Sequence, residues 1–192
     1  MKLLKNLALC TMIAFSFNLK AEIIFSDAKI NIEDIVYGGT GCPHTEGSAF
    51  AVTNDFLILK HPAFKLGKVD GHLMRKACSV RIPIKVKKGY RVALIAESTG
   101  KIDLGPTENL TLKRELFFVG NTGPVEELNF TDTKIENFVF ENNHEVAYSE
   151  CGENVVLAMN LSAILKKEFS FQKSKSLHLT NTYFQIVTQK CQ

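Results

Sequence analysis

Ala77-Cys78-Ser79-Val80-Arg81-Ile82-Pro83-Ile84-Lys85-Val86 decides the fold. Cys78, Val80, Ile82, Ile84 and Val86 fall on one side, and Ser79, Arg81, Pro83 and Lys85 on the other. A period of two sends alternate side chains to opposite faces of a pleat, so this is a half-buried strand. Pro83 has no N–H to give to a ladder, which places it at an edge or a bulge. Lys87-Lys88-Gly89 is a turn, and Tyr90, Val92, Leu94 and Ala96 alternate after it. The two strands are expected to form a hairpin.

Outward from this pair the same pattern repeats. The apolar run 50–59 reads as a strand, with Phe50, Val52, Phe56, Ile58 and then Phe64 toward a core and Thr53-Asn54-Asp55 as a bulge or tight turn. Ser98-Thr99-Gly100 reads as a turn before a short strand at 101–104. Further strands are expected at 110–119, 125–130, 135–140, 155–161, 168–171 and 177–187, and a weak edge strand within 22–35. Residues 160–167 fit a short helix or a continued strand. Gly105-Pro106 and Asn121-Thr122-Gly123-Pro124 break the chain. Short strands with turns about every 8–12 residues point to an all-β, antiparallel β-sandwich, jelly-roll or immunoglobulin-like.

The chain has 192 residues. Lys2 and Lys5 precede an apolar run at 7–17, and Asn18-Leu19-Lys20-Ala21 follows. That is the pattern of a secretory signal peptide over 1–21, cleaved after Ala21. The run is shorter than the roughly 20 residues a membrane span needs, and no transmembrane segment follows it. Residues 22–192 then form one β-sandwich domain in a secreted or periplasmic protein. The leader carries Lys2, Lys5 and Lys20 and no acid. Its removal takes the balance from 23 basic against 20 acidic residues to 20 against 20. Nucleic-acid binding therefore has no electrostatic basis.

Four cysteines follow the leader: Cys42, Cys78, Cys151 and Cys191. An even number behind a secretory signal argues for disulfides. Of three possible pairings, Cys42–Cys78 with Cys151–Cys191 is favoured, because each bridge closes its own half of the chain. Loops of about 35–40 residues make each bridge worth about 3–4 kcal/mol in the loop-closure picture. With no CxxC and no HxxxH, neither a metal nor a cofactor is expected.

The neutral total hides a gradient. Residues 60–91 are basic and residues 126–153 acidic. Two solvated faces attracting each other across the fold would account for that. So would a basic patch facing an anionic partner, with Lys85, Lys87, Lys88 and Arg91 around the turn as its centre. Carboxylates of the 126–153 segment supply the other chemistry, since glycoside hydrolysis needs two placed acids. His44, His61, His72, His144 and His178 lie at no metal-ligand spacing and read as surface or loop histidines. The glycines of Gly38-Gly39-Thr40-Gly41 let the backbone pass close to a neighbour.

The residues now resemble a family. Gly39-Thr40-Gly41-Cys42-Pro43 with Gly47-Ser48, then Arg75-Lys76-Ala77-Cys78 and its alternating strand, carry the resemblance. Gly89-Tyr90, Phe117-Phe118-Val119-Gly120 and Tyr148-Ser149-Glu150-Cys151-Gly152 continue it. Over about 36–165 the chain resembles the DUF4360 family of secreted proteins, with Ala77 and Glu150 as local departures. The resemblance implies a secreted, disulfide-bonded β domain and carries over no catalytic residue.

Two functions follow from these residues. The first is a non-catalytic cell-envelope or extracellular interaction module, whose partner is an anionic envelope polysaccharide, a lipid or a protein. The alternative is a small secreted hydrolase using carboxylates of the 126–153 segment.

Overall fold

The structure, a computed structural model, describes residues 22–25, 27–53, 56–67, 73–141, 148–152, 154–167 and 177–192. The leader expected at 1–21 and the strand expected at 168–171 lie outside the described residues.

Two antiparallel sheets make the molecule. The first contains β1 (Glu22–Phe25), β2 (Ala28–Asn31), β3 (Val36–Gly38), β7 (Leu73–Val86), β9 (Glu108–Phe118), β10 (Val125–Thr131) and β12 (Val155–Lys167). Its order is β1-β2-β7-β12-β9-β10, and β3 also pairs with β7. The second contains β4 (Ala49–Val52), β5 (Leu57–Lys60), β6 (Lys65–Leu66), β8 (Tyr90–Asp103), β11 (Lys134–Phe140) and β13 (Leu177–Lys190). Its order is β11-β8-β13-β5-β4, and β6 pairs with β13. The alternation on β7 holds as read: Cys78, Val80, Ile82, Ile84 and Val86 are buried. They meet Val92, Leu94 and Ala96 of β8, Leu157, Met159 and Leu161 of β12, and Leu179, Phe184 and Ile186 of β13 in one core. This is an all-β sandwich, two inner faces interdigitating around one apolar layer. Residues 160–167 continue β12 as strand.

Three expectations need correction. β7 and β8 do not form a hairpin: β7 pairs with β12, and β8 with β13. Both strands have a long apolar face, and such faces gain most by packing against each other across the core. The turn at Lys87-Lys88-Gly89 therefore hands the chain from one sheet to the other. Nor is Ser98-Thr99-Gly100 a turn, since all three residues sit inside β8. A Cβ on Gly100 would meet the His178 carbonyl at 2.6 Å and the Phe138 ring at 2.7 Å. This glycine marks a close approach between neighbours, not a reversal.

The expected inward set at 50–58 holds on β4, where Phe50 packs against the core and Phe50 and Val52 lie opposite Leu59 and Leu57, and is displaced by one residue on β5. Thr53 donates its N–H to the Phe56 carbonyl, reversing the chain between β4 and β5. After that turn Leu57 and Leu59 point inward, while Val52 and Phe56 are exposed. Pro83 sits where the neighbour of β7 changes. β3 pairs with residues 79–81 and β2 with 85–86, so the ladder is interrupted opposite Pro83.

Cys42 joins Cys78 and Cys151 joins Cys191, with Cα atoms 5.4 and 6.2 Å apart. The first bridge lies in the core and holds the glycine loop against β7. Gly41 donates to the Ala77 carbonyl at 2.8 Å. Gly39, at φ +133°, passes so close that a Cβ would lie 2.3 Å from that same oxygen.

Candidate functional site

The turn between β7 and β8 gathers the basic residues singled out from sequence. Lys85 is exposed on β7, directly opposite Lys29 of β2. Like charges placed opposite each other on two strands repel. Lys87 donates to Asp27 Oδ1 at 3.0 Å and lies over the Tyr90 ring. The hydrogen bond from Lys87 to Asp27, then the charge of Asp27, raises its pKa. Lys88 is exposed at the tip. Arg91 donates through Nε and Nη2 to Gln189 Oε1 at 2.9 and 2.6 Å, and its guanidinium lies over the Tyr148 ring. Lys190, opposite Tyr90, adds a further exposed base. The four residues share one end of the sandwich, but Lys87 and Arg91 are held by local partners.

That end is clamped. The Cys191 N–H donates to the Gly89 carbonyl, and the Gly152 N–H to the Tyr90 carbonyl, each at 2.8 Å. The Ser149 N–H reaches the Val92 carbonyl, and Ser149 Oγ accepts from the Val92 N–H. The Cys151–Cys191 bridge joins the two segments that grip the turn. Position by position, the chain makes a stiff cationic tip. The turn itself, residues 85–91, holds no exposed large apolar side chain.

The acidic segment is not gathered. Glu126 is buried on β10 and accepts from Arg114 of β9. Glu127 pairs with Lys113 at 2.6 Å, and that hydrogen bond holds its carboxyl below the ordinary range. Glu136, on β11 in the other sheet, pairs with Lys101. Asp132, Glu141 and Glu150 are exposed at separate places, and Glu145 and Glu153 lie outside the described residues. The described ion pairs join Lys87 to Asp27, Lys101 to Glu136, Lys113 to Glu127, Arg114 to Glu126 and Lys167 to Glu108. None of them links residues 60–91 to 126–153, so the two charged segments are not drawn together by these contacts. Among the described residues no cluster of three His, Cys, Asp or Glu side chains stands ready for a metal.

Sequence reading missed two interior groups. His61 is no surface histidine: it is fully buried, and Nε2 lies 2.8 Å from Thr182 Oγ1, which in turn meets Ser98 Oγ at 2.9 Å. Burial lowers its pKa to about 4, so the ring is neutral at ordinary pH. A shallow cleft of about 260 Å³, lined by Lys60, His61, His178 and Asn181 among others, opens beside it. Leu57 and Leu59 set an inward period that reaches residue 61, the one available signal. Arg114 is the other such group, and the same period from Leu110 and Leu112 reaches it. His44 is exposed and stacks on Tyr37, while His72 and His144 lie outside the described residues.

The family described as a domain of unknown function, DUF4360, matches residues 28–191. The chain belongs to that family. No curated protein matches this DUF4360 chain. Solved structures similar to it include the carbohydrate-binding module TmCBM61 in complex with β-1,4-galactotriose. Identity there is 8%, coverage 83% of this chain and 90% of that one, and the TM-score 0.30. The complex of accessory secretory proteins 1, 2 and 3 of Streptococcus pneumoniae is 10% identical, with 82% and 97% covered and a TM-score of 0.22. The GH31 α-xylosidase of Xanthomonas citri is 10% identical over 58% of this chain and 12% of that one, with a TM-score of 0.21. Likenesses this loose carry nothing about the ligand of the DUF4360 chain. Among the described residues no helix is long and apolar enough to cross a membrane.

Proposed function

We propose that the mature protein, residues 22–192 after loss of the leader, is a non-catalytic extracellular interaction module. It engages an anionic polymer through the stapled turn, with Lys85, Lys87, Lys88 and Arg91 as the contact residues. One observation carries the reading: a disulfide and two backbone hydrogen bonds clamp a turn that presents like charges. A rigid tip loses little conformational freedom on binding, and closely spaced lysines gain energy when an anion lies between them. An acidic polysaccharide fits better than a lipid surface, because surface-bound segments add apolar side chains that enter the headgroup layer. The disulfides suit an oxidising compartment.

The test is binding of the oxidised protein to alginate, to dextran and to phosphatidylglycerol vesicles at low and high salt. Retention by alginate but not dextran, weakened by salt, is expected, as is its loss when all four residues are changed to Glu. Equal affinity for dextran, or unchanged alginate binding by the four-fold variant, would sink the reading. Vesicle binding without alginate binding would move the partner to lipid.

A further inference from the structure

The outer face of the sheet β1-β2-β7-β12-β9-β10 has a composition that the stapled turn does not use. Arg81 of β7 and Phe117 of β9 both pair with Ala158 of β12. The short alanine lets them meet above it, the guanidinium 5.3 Å from the ring centroid, and Ala158 is buried beneath. In the next row Ser79, Asn160 and Glu115 are cross-strand neighbours. Ser79 donates to Asn160 Oδ1 at 2.7 Å, and Asn160 Nδ2 donates to Glu115 Oε2 at 3.1 Å. Val36 flanks Arg81 and Val125 flanks Glu115. Val36 and Val125 are 63% and 57% exposed, and their pairing puts both on this face.

Two charges on the face lack an ion-pair partner among the described residues. Arg81 donates Nη1 to the Val80 carbonyl and otherwise stacks on Phe117. Glu115 accepts from Asn160. Their backbones stand two strands and one row apart, about 12 Å, and the described contacts of each chain leave the two charges unjoined. In a two-fold interface, residue i of one copy meets j of the other and j meets i. An axis lying in the plane of the interface, midway between the two charges, makes both pairs at once. It also brings the Val36 side of each copy toward the Val125 side of the other. A stacked arginine and an aromatic ring between two exposed valines have the composition of an interface centre.

We propose that this face docks against a second copy of the chain, Arg81 of each copy meeting Glu115 of the other. The inference stands apart from the anionic-polymer reading. Sedimentation equilibrium of the oxidised protein is expected to give twice the protomer mass, falling on dilution. Arg81→Glu and Glu115→Arg are each expected to weaken association about 10-fold or more, and the combined exchange to restore it. Val36→Asp, on an exposed edge position, should also dissociate the pair while leaving the far-ultraviolet circular dichroism of the fold unchanged. It serves if the Arg81 variant does not fold. A monomer at every concentration overturns the proposal. So does a dimer indifferent to both single reversals, or a combined exchange weaker than either.

Discussion

Arg114 donates through Nε and Nη2 to Glu126 Oε2 at 2.8 and 2.6 Å, wholly inside the sandwich. The same guanidinium donates to the carbonyls of Phe140 and Glu141, at the end of β11 in the opposite sheet. Burial lowers its pKa, and the hydrogen bond to Glu126 opposes that shift. One side chain therefore ties β9, β10 and β11 together across the core.

Removing that guanidinium leaves a buried carboxylate and two carbonyls short of a donor. Arg114→Met is expected to cost about 3–5 kcal/mol. Glu126→Gln keeps an acceptor for the arginine and is expected to cost less, about 1–2 kcal/mol. Urea unfolding of the oxidised variants measures both. An Arg114→Met cost below that of Glu126→Gln would contradict the bridging role.

The two disulfides differ in access. Cys42 and Cys78 are buried, whereas Cys151 is exposed. Thiolate attack needs a reachable sulfur. Mild reduction is expected to open Cys151–Cys191 first, which alkylation and mass mapping would detect. Because that bridge joins the two segments that grip the turn, alginate binding should fall at this stage, before the core bridge opens. Loss of Cys42–Cys78 first would show that the buried bridge is open to solvent on the time scale of reduction.

Gly39 and Gly100 are close-approach positions, and alanine at either is expected to destabilise by about 1–3 kcal/mol. At Gly100 the new Cβ would meet the His178 carbonyl and the Phe138 ring. At Gly39 it would meet the Ala77 carbonyl at a backbone angle that alanine adopts poorly. Gly47, which also has positive φ, has nothing within 4 Å, so Gly47→Ala should show the cost of conformation without the clash. Thermal melts of the three variants compare the two contributions. A Gly100→Ala protein as stable as the parent would remove the crowding argument.

Alternation made much of the sandwich legible. Val80, Ile82 and Ile84 mark the core whatever strand lies beside them, because burial depends on the face and not on the neighbour. Pairing was less legible for the same reason. Lys87-Lys88-Gly89 reverses the chain equally well within a sheet or between sheets. Between β4 and β5 the inward period shifts by one, a change that local composition does not record. The interior charges were the least legible, since an arginine on an apolar face looks like an exception until its acceptors are in view. Lys85, Lys87, Lys88 and Arg91 do share one end, but only register shows that Lys29 and Lys190 join them.

His61 gives the fold an acid-sensitive element. Burial lowers its pKa to about 4, below the unfolded 6.5. The unfolded chain therefore takes up the proton first as pH falls, and acid favours unfolding. The contribution of His61 to stability is full above about pH 6.5. It declines between 6.5 and 4, by up to about 3 kcal/mol, and is constant below. His178, its pKa also lowered, chiefly by burial and then by Lys65 and Lys101, acts in the same direction to a smaller extent. His61→Gln can keep a polar contact with Thr182 but does not titrate, so its urea midpoint should vary less between pH 7 and 4.5. An equal pH dependence in parent and variant would assign the acid response to groups other than His61.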